Sequence, residues 1–398
     1  MASKDRKTRC REAAGILLLF VFLSARRIHA AGEESGPLQA EILQRGEWAI
    51  MDRLIQAYGE TDWTLVAASM ASHPEDEGNP NIMFIPLSLG NVYLNRYEWR
   101  NDISDFERAL ASFEWVSGSH QLWGDRWLSA PVISYLDLSL VRLRSACAPP
   151  AFAERIEGAW QAALAVTEEE ADARLTPAFP YRPYDSSETG DSKGEENAWE
   201  AGLLAAAANF LPERANAAAW DQKARELAYD AVTRPSDPPD ATGLKTATVA
   251  DDFTLSNHGF FPNPTYTAAA IELLAQAALT YRLSDRPVPE EFEHNVAALY
   301  DVYKTYIDAD LQWVVPSDPS GEASLFPFAF DPDLEDREIR CESDNGYLWQ
   351  PTAPVARMEM GPPLWTAILN AKVVMFYLMG SYLWRFPSAC ATRQVMFR

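Results

Sequence analysis

Two stretches of the chain collect side chains able to move protons and hold a polar ligand. The richer one is Asp251-Asp-Phe-Thr-Leu-Ser-Asn-His-Gly-Phe-Phe-Pro-Asn-Pro-Thr-Tyr266. A histidine such as His258 changes protonation near neutral pH and accepts protons. The Asn257 amide can hydrogen-bond a carboxylate, and the Tyr266 phenol can act as acid or base. These functions suit removal of a proton alpha to a carbonyl, with Asp252 and Asp251 as further polar contacts. The bland alternative is a loop histidine satisfied by local backbone and a tyrosine packed at the start of a helix.

The second stretch is Thr189-Gly-Asp-Ser-Lys-Gly-Glu-Glu-Asn-Ala-Trp199. Ser192 and Glu195 have the S-x-x-E spacing of a capping box, in which each satisfies a free backbone N–H of the other. Asp191, Glu196, Asn197 and Trp199 are left as candidate substrate contacts, and Glu196 and Trp199 share a helical face. Gly190 to Gly194 also matches G-x-S-x-G, with Asp251 or Asp252 and then His258 following in hydrolase order. A nucleophile elbow needs a buried strand just before it. Residues 181–188 are polar and broken by proline, so a serine hydrolase has no support.

Elsewhere the signals are weaker. His73 and His120 lie in turn-like stretches, and His294 reads as helical with no metal partner four residues on. H-E-x-x-H, P-loop and G-x-G-x-x-G patterns do not occur, so no metal or nucleotide cofactor is expected. The Asp344-Asn345-Gly346-Tyr347 loop, with Trp313, Trp349 and Trp365, could supply stacking and hydrogen-bonding platforms for sugar rings. In each case a core role competes with that use.

The elements that must carry these loops are helices. Apolar residues recur at helical spacing over 38–58, 82–97, 102–116, 126–146, 151–170, 193–211, 215–232, 264–283, 289–309 and 362–385. Leu311 to Val315 is the best strand candidate, and it is short. Proline-rich breaks fall at 176–184, 234–243, 316–332 and 350–354. The pattern predicts an all-α chain of stacked αα-hairpins forming one domain over 31–398. Long loops on such a body are where sites usually lie.

The first thirty residues read as a secretory signal peptide: a basic start, an apolar run from Ala13 to Ala25 and small residues at Ala30 and Ala31. That run is shorter than the ~20 apolar residues of a spanning helix. Removing 1–30 deletes seven basic and two acidic side chains and takes the net charge from −23 to −28. The expected location is secreted or periplasmic, with no stable membrane insertion after cleavage. Pro363 to Phe386 is also apolar, but Asn370 and Lys372 at its middle favour a core helix. Cys147, Cys341 and Cys390 would remain, enough for one bridge at most. So acidic a surface excludes a general nucleic-acid binder.

The Asn257-His258-Gly259 motif follows an Asp-Asp-Phe-Thr-Leu loop and precedes a proline-rich turn into a helix. With it, the chain resembles the toroid domain of polysaccharide lyases of the alginate-lyase and heparinase II/III-like group. The 190–199 block is similar to a segment of secreted toroid proteins of that type, and the likeness covers residues 180–285 best. The resemblance implies an (α/α) toroid of paired antiparallel helices, whose inner helices and loops line a cleft for uronate-containing polysaccharide. It implies β-elimination: Asn257 neutralises the uronate carboxylate, His258 removes the C5 proton and Tyr266 protonates the leaving oxygen. Tyr300, Tyr303 or Tyr306 could replace Tyr266. Lyases of the group usually continue into a β-sandwich, and no such C-terminal segment is evident. Their clefts are basic, whereas Arg337 and Arg340 are the only close basic pair near a candidate site. The acidity suits the alternative, a glycoside hydrolase on a similar toroid with acid and base drawn from Asp191, Glu196, Asp251, Asp252 and Asp344. A non-catalytic glycan binder is the third possibility.

Overall fold

The computed structural model describes residues 83–123, 129–146, 148–176, 193–243, 247–257, 261–262 and 264–303, together with the isolated helical positions Ile55 and Ala67. Nine helices account for most of it: α1 (Phe84–Arg100), α2 (Ile103–Gly118), the one-turn α3 (His120–Trp123), α4 (Ser129–Ser145), α5 (Ala153–Leu175), α6 (Gly194–Phe210), α7 (Ala217–Asp230), α8 (Pro264–Leu283) and α9 (Val296–Tyr303). The all-α expectation holds for these residues. Two strands of two residues each, β1 (Ser256–Asn257) and β2 (Phe261–Pro262), form an antiparallel pair before α8.

Local chemistry sets the helix ends. Asn101 closes α1 in the left-handed conformation (φ 56°), which asparagine adopts more readily than most residues. Asp102 then caps α2 by accepting the Ser104 N–H at 2.9 Å. This two-residue link forces the helices antiparallel. Gly90 permits their close approach, since a Cβ there would lie 2.4 Å from the Phe113 ring. The start of α6 differs from expectation: Lys193, at φ 55°, occupies the N-cap without a side-chain cap bond. The Ser192–Glu195 capping box therefore falls out of register with the observed helix, and Ser192 lies outside the described residues.

Side-chain pairings fix the layers. Along α1 and α4 the partners rise together, Phe84 with Tyr135 (5.6 Å, edge-on), Asn91 with Ser139 (2.7 Å) and Glu98 with Arg142 (2.8 Å), so these helices run parallel. Gly202 of α6 faces Ser134 of α4, where an added Cβ would sit 3.2 Å from the hydroxyl. Asn209, at the end of α6, donates to Thr280 near the end of α8 at 2.8 Å. Helices α1, α4, α6 and α8 thus form a parallel inner layer. The outer helices run the other way. Along α4 and α5 the partners descend, Ser129 with Glu170, Asp137 with Thr167 and Arg144 with Glu157. Helix α2 returns along α1 in the same manner, with Tyr97 against Phe106 and Gly90 against Phe113.

Helix α6 is buried on nearly every face, as expected of a helix enclosed by neighbours. Its small residues, Ala198, Gly202 and Ala205, let α4 and α8 approach each other across its inner side. There Tyr135 of α4 donates to Glu272 of α8 at 2.8 Å. Outer helices α5 and α7 cover the opposite side of α6.

The helix expected over 289–309 is shorter. A 3-10 turn at Glu290–Phe292 and a turn through 293–295 precede α9, which begins at Val296. Asn295, at φ 54°, marks the break. His294 therefore sits in a turn and not on a helix. The expected helices at 38–58 and 362–385, the Leu311–Val315 strand and the signal peptide fall outside the described residues, apart from helical Ile55. No described helix is long and apolar enough to cross a membrane.

Candidate functional site

The parallel inner layer gives the molecule two unlike ends. At the C-terminal ends of the inner helices the links to the outer layer include the short turns 101–102 and 211–216. At their N-terminal ends the returning connections are 119–128, 176–193 and 231–263, much longer segments. Both stretches singled out by their chemistry belong to this second end. One runs into the start of α6 and the other into the start of α8, and these two helices pack side by side.

Segment 231–257 is built to deliver Asn257 there. The Thr248 hydroxyl bonds the Asp230 carbonyl at 2.8 Å and accepts the Thr233 N–H at 3.1 Å. Val249 N–H donates to Thr233 O, and a bridge between Val249 and Leu255 leads into β1. Asp251 accepts from the Ser236 hydroxyl at 2.6 Å, and Asp252 accepts the Thr254 N–H at 3.0 Å. Both exposed carboxylates thus shape turns. Asn257 pairs with Phe261 in the β-hairpin, and Tyr266 occupies the first turn of α8. The side chains of Asn257 and Tyr266, and all of His258, Asp191, Asn345 and Tyr347, lie outside the described residues.

On α6, Glu196 is buried and pairs with Lys193 at 2.9 Å. Asn197 is fully buried, and Trp199 is half-buried against the core. Of the three, only Trp199 shows substantial surface. Below them lies a polar network spanning four helices. Arg174 of α5 ion-pairs with Glu170 of its own helix and with Glu200 of α6. The Ser129 hydroxyl at the start of α4 donates to Glu170 at 3.1 Å. His120 completes the network: its Nε2 is 2.7 Å from Glu170 Oε1.

His120 is the group that sequence reasoning set aside. It opens α3, a single turn, and packs edge-on against Trp123 at 4.8 Å. Its partner lies fifty residues away, so no local pattern announces the pair. The His294 surroundings are also richer than expected. The imidazole stacks on Tyr229 at 4.4 Å and lies 3.3 Å from Asp237. Burial works against the Asp237 charge, but hydrogen bonds from the Arg234 side chain and backbone and from Asn295 prevail and hold its carboxyl down at about 2.

A cleft of about 790 Å³ opens beside this stack on the outer face of α7. Asp221, Glu226, Asp240, Glu290 and Glu293 line it, so it repels a polyanion. Between α4 and α8, Glu272 is buried and its carboxyl is pushed up to about 8 by loss of water, a shift only partly offset by the Tyr135 hydrogen bond. Tyr303, a candidate proton donor, is buried, and its phenol is driven well above its usual range by desolvation. That makes it a poor donor; Tyr300 beside it is half-buried. Among the described residues no group of three or more His, Cys, Asp or Glu could hold a metal ion.

Comparison with protein-family models, with characterised proteins and with solved structures returns no match.

Proposed function

We propose that this protein cleaves a uronate-containing polysaccharide by β-elimination, on an (α/α) toroid built as a single domain, at the N-terminal ends of its inner helices. The observation that carries the reading is the convergence of segments 189–199 and 251–266 on the adjacent starts of α6 and α8. Helix dipoles favour anions at such ends. The first turn of α6 already holds Glu195 and Glu196, which take up that field, whereas the first turn of α8 holds no acid. The α8 end, beside Asn257, His258 and Tyr266, is therefore the one suited to a substrate carboxylate.

In this mechanism Asn257 and the α8 terminus neutralise the carboxylate and acidify the C5 proton. His258 removes that proton, the C4–O bond breaks as the double bond forms, and Tyr266 protonates the departing oxygen. Asp191, Trp199, Asp252, Asn345 and Tyr347 would contact the sugar chain, with the buried Glu196 and Asn197 supporting the wall behind them. The proposed location is outside the cytoplasm, consistent with the leader-like first thirty residues.

A second reading, hydrolysis by paired carboxylates, is favoured by the density of acids on α6 and by the overall charge of −23. One assay separates the two. The purified protein is incubated with uronate and neutral polysaccharides while ultraviolet absorbance of the unsaturated product and new reducing ends are followed together. Elimination gives both signals in parallel. Reducing ends without absorbance would replace the lyase by the hydrolase.

A further inference from the structure

We infer that His120 is a proton-operated clamp that fastens α3, and with it the end of α2, onto the outer helix α5. The geometry assigns one carboxylate to each imidazole nitrogen. Nε2 lies 2.7 Å from Oε1 of Glu170, which is fully buried and already holds Arg174 and the Ser129 hydroxyl. Nδ1 faces Oε2 of Glu169 at 3.8 Å, and that side chain is 74% exposed. The ring itself is 14% exposed, so protons reach it.

A neutral imidazole carries one N–H. It makes the bond to Glu170, where a donor is required because a buried carboxylate only accepts. Nδ1 is then a bare lone pair facing another acceptor, and no hydrogen bond forms across 3.8 Å. Protonation places a second N–H on Nδ1, and the mobile Glu169 side chain needs to move only about 1 Å to reach a normal charge-assisted distance. One proton thus converts a single anchor into two, both on α5. Among the described residues, the charged groups around the ring are Glu169, Glu170 and Arg174 of α5; α4 contributes the uncharged Ser129, and α3 the Trp123 edge.

The clamp stands at the end of the molecule where the inner helices begin. Glu170 passes the connection through Arg174 to Glu200, one helical turn beyond Glu196 on α6. The inference itself rests on no assumption about the reaction, and its test needs no substrate.

The full chain is labelled with 5-fluorotryptophan, and the Trp123 signal is assigned by its loss in Trp123→Phe. On acidification this signal should shift in one step. Hydrogen-exchange protection of amides 120–123, corrected for intrinsic pH dependence, should rise about two- to five-fold, the effect of one partly exposed ion pair. His120→Gln retains a donor for Glu170 but cannot gain charge, and should abolish the step. Glu169→Gln alters an exposed side chain with little risk to folding. It should keep the Trp123 step while removing the gain in protection. A step that survives in His120→Gln, or an undiminished gain in Glu169→Gln, would overturn the clamp.

Discussion

The two buried polar systems on either side of α6 solve one problem in opposite ways. Toward the outer layer, Glu170 and Glu200 face a countercharge, because Arg174 is buried between them. Between α4 and α8, among the described residues, Glu272 meets only the neutral donors Tyr135 and Gln276, and Asp137 meets only Thr167. Burial pushes both of those carboxyls up to about 8, the hydrogen bonds offsetting part of the shift. One system is held by countercharge and the other by retained protons. The paired system should therefore respond to loss of its cation, and the unpaired one to pH.

The largest effect is expected at Arg174. Arg174→Met leaves two carboxylates buried without their cation and should cost about 3–5 kcal/mol in denaturant unfolding at neutral pH. A loss below about 1 kcal/mol would erase the contrast. Next comes the pH response of the interior. The folded-state pKa of Glu272 lies above its ordinary value of 4.5, so the folded chain holds a proton that the unfolded chain releases. Stability from this group is fully present below about pH 4.5 and is lost as pH rises through about 8. Glu272→Gln should remove that slope and stabilise the protein at pH 9 by roughly 2–4 kcal/mol, measured by urea titration across pH. An unchanged slope would mean that Glu272 is ionised in the fold.

A smaller effect is expected at Thr167. Thr167→Val removes the only hydrogen bond to Asp137 among the described residues and should cost about 1–2 kcal/mol. The exposed pair Arg144–Glu157, at 41% and 52% exposure, serves as the control. Glu157→Ala should change stability by less than about 0.5 kcal/mol.

The contrast also explains which parts of the molecule were legible in sequence. Apolar spacing locates α2 and α7 because each buries a stripe whose period is local, whereas α4 and α6 announce themselves by apolar content along their whole length. It misplaces the start of α9, where Asn295 in the left-handed region breaks a run of residues with good helical spacing. The capping box fails for a related reason: its spacing is met in sequence, but Lys193 takes the cap position through backbone conformation alone. Partnerships between helices are not visible in one chain. His120 looks like a turn residue until α5 brings Glu170 beneath it, and nothing in the sequence pairs Glu272 of α8 with Tyr135 of α4. Of the candidate site, residue types and their location before two helices were readable. That those helices are parallel neighbours, presenting both segments at one end, emerges only from the packing of Asn209 against Thr280 and Ser284.

The elimination proposed for this end has His258 as its base. Its most direct test is the rate of unsaturated-product formation by wild type and His258→Ala, on the uronate polysaccharide that the wild type cleaves, with both unfolding midpoints recorded. The account predicts that wild type generates the ultraviolet-absorbing product and that His258→Ala loses it by at least about 100-fold, the scale of a general base, with its midpoint unchanged. Wild-type turnover retained in a folded His258→Ala would contradict it.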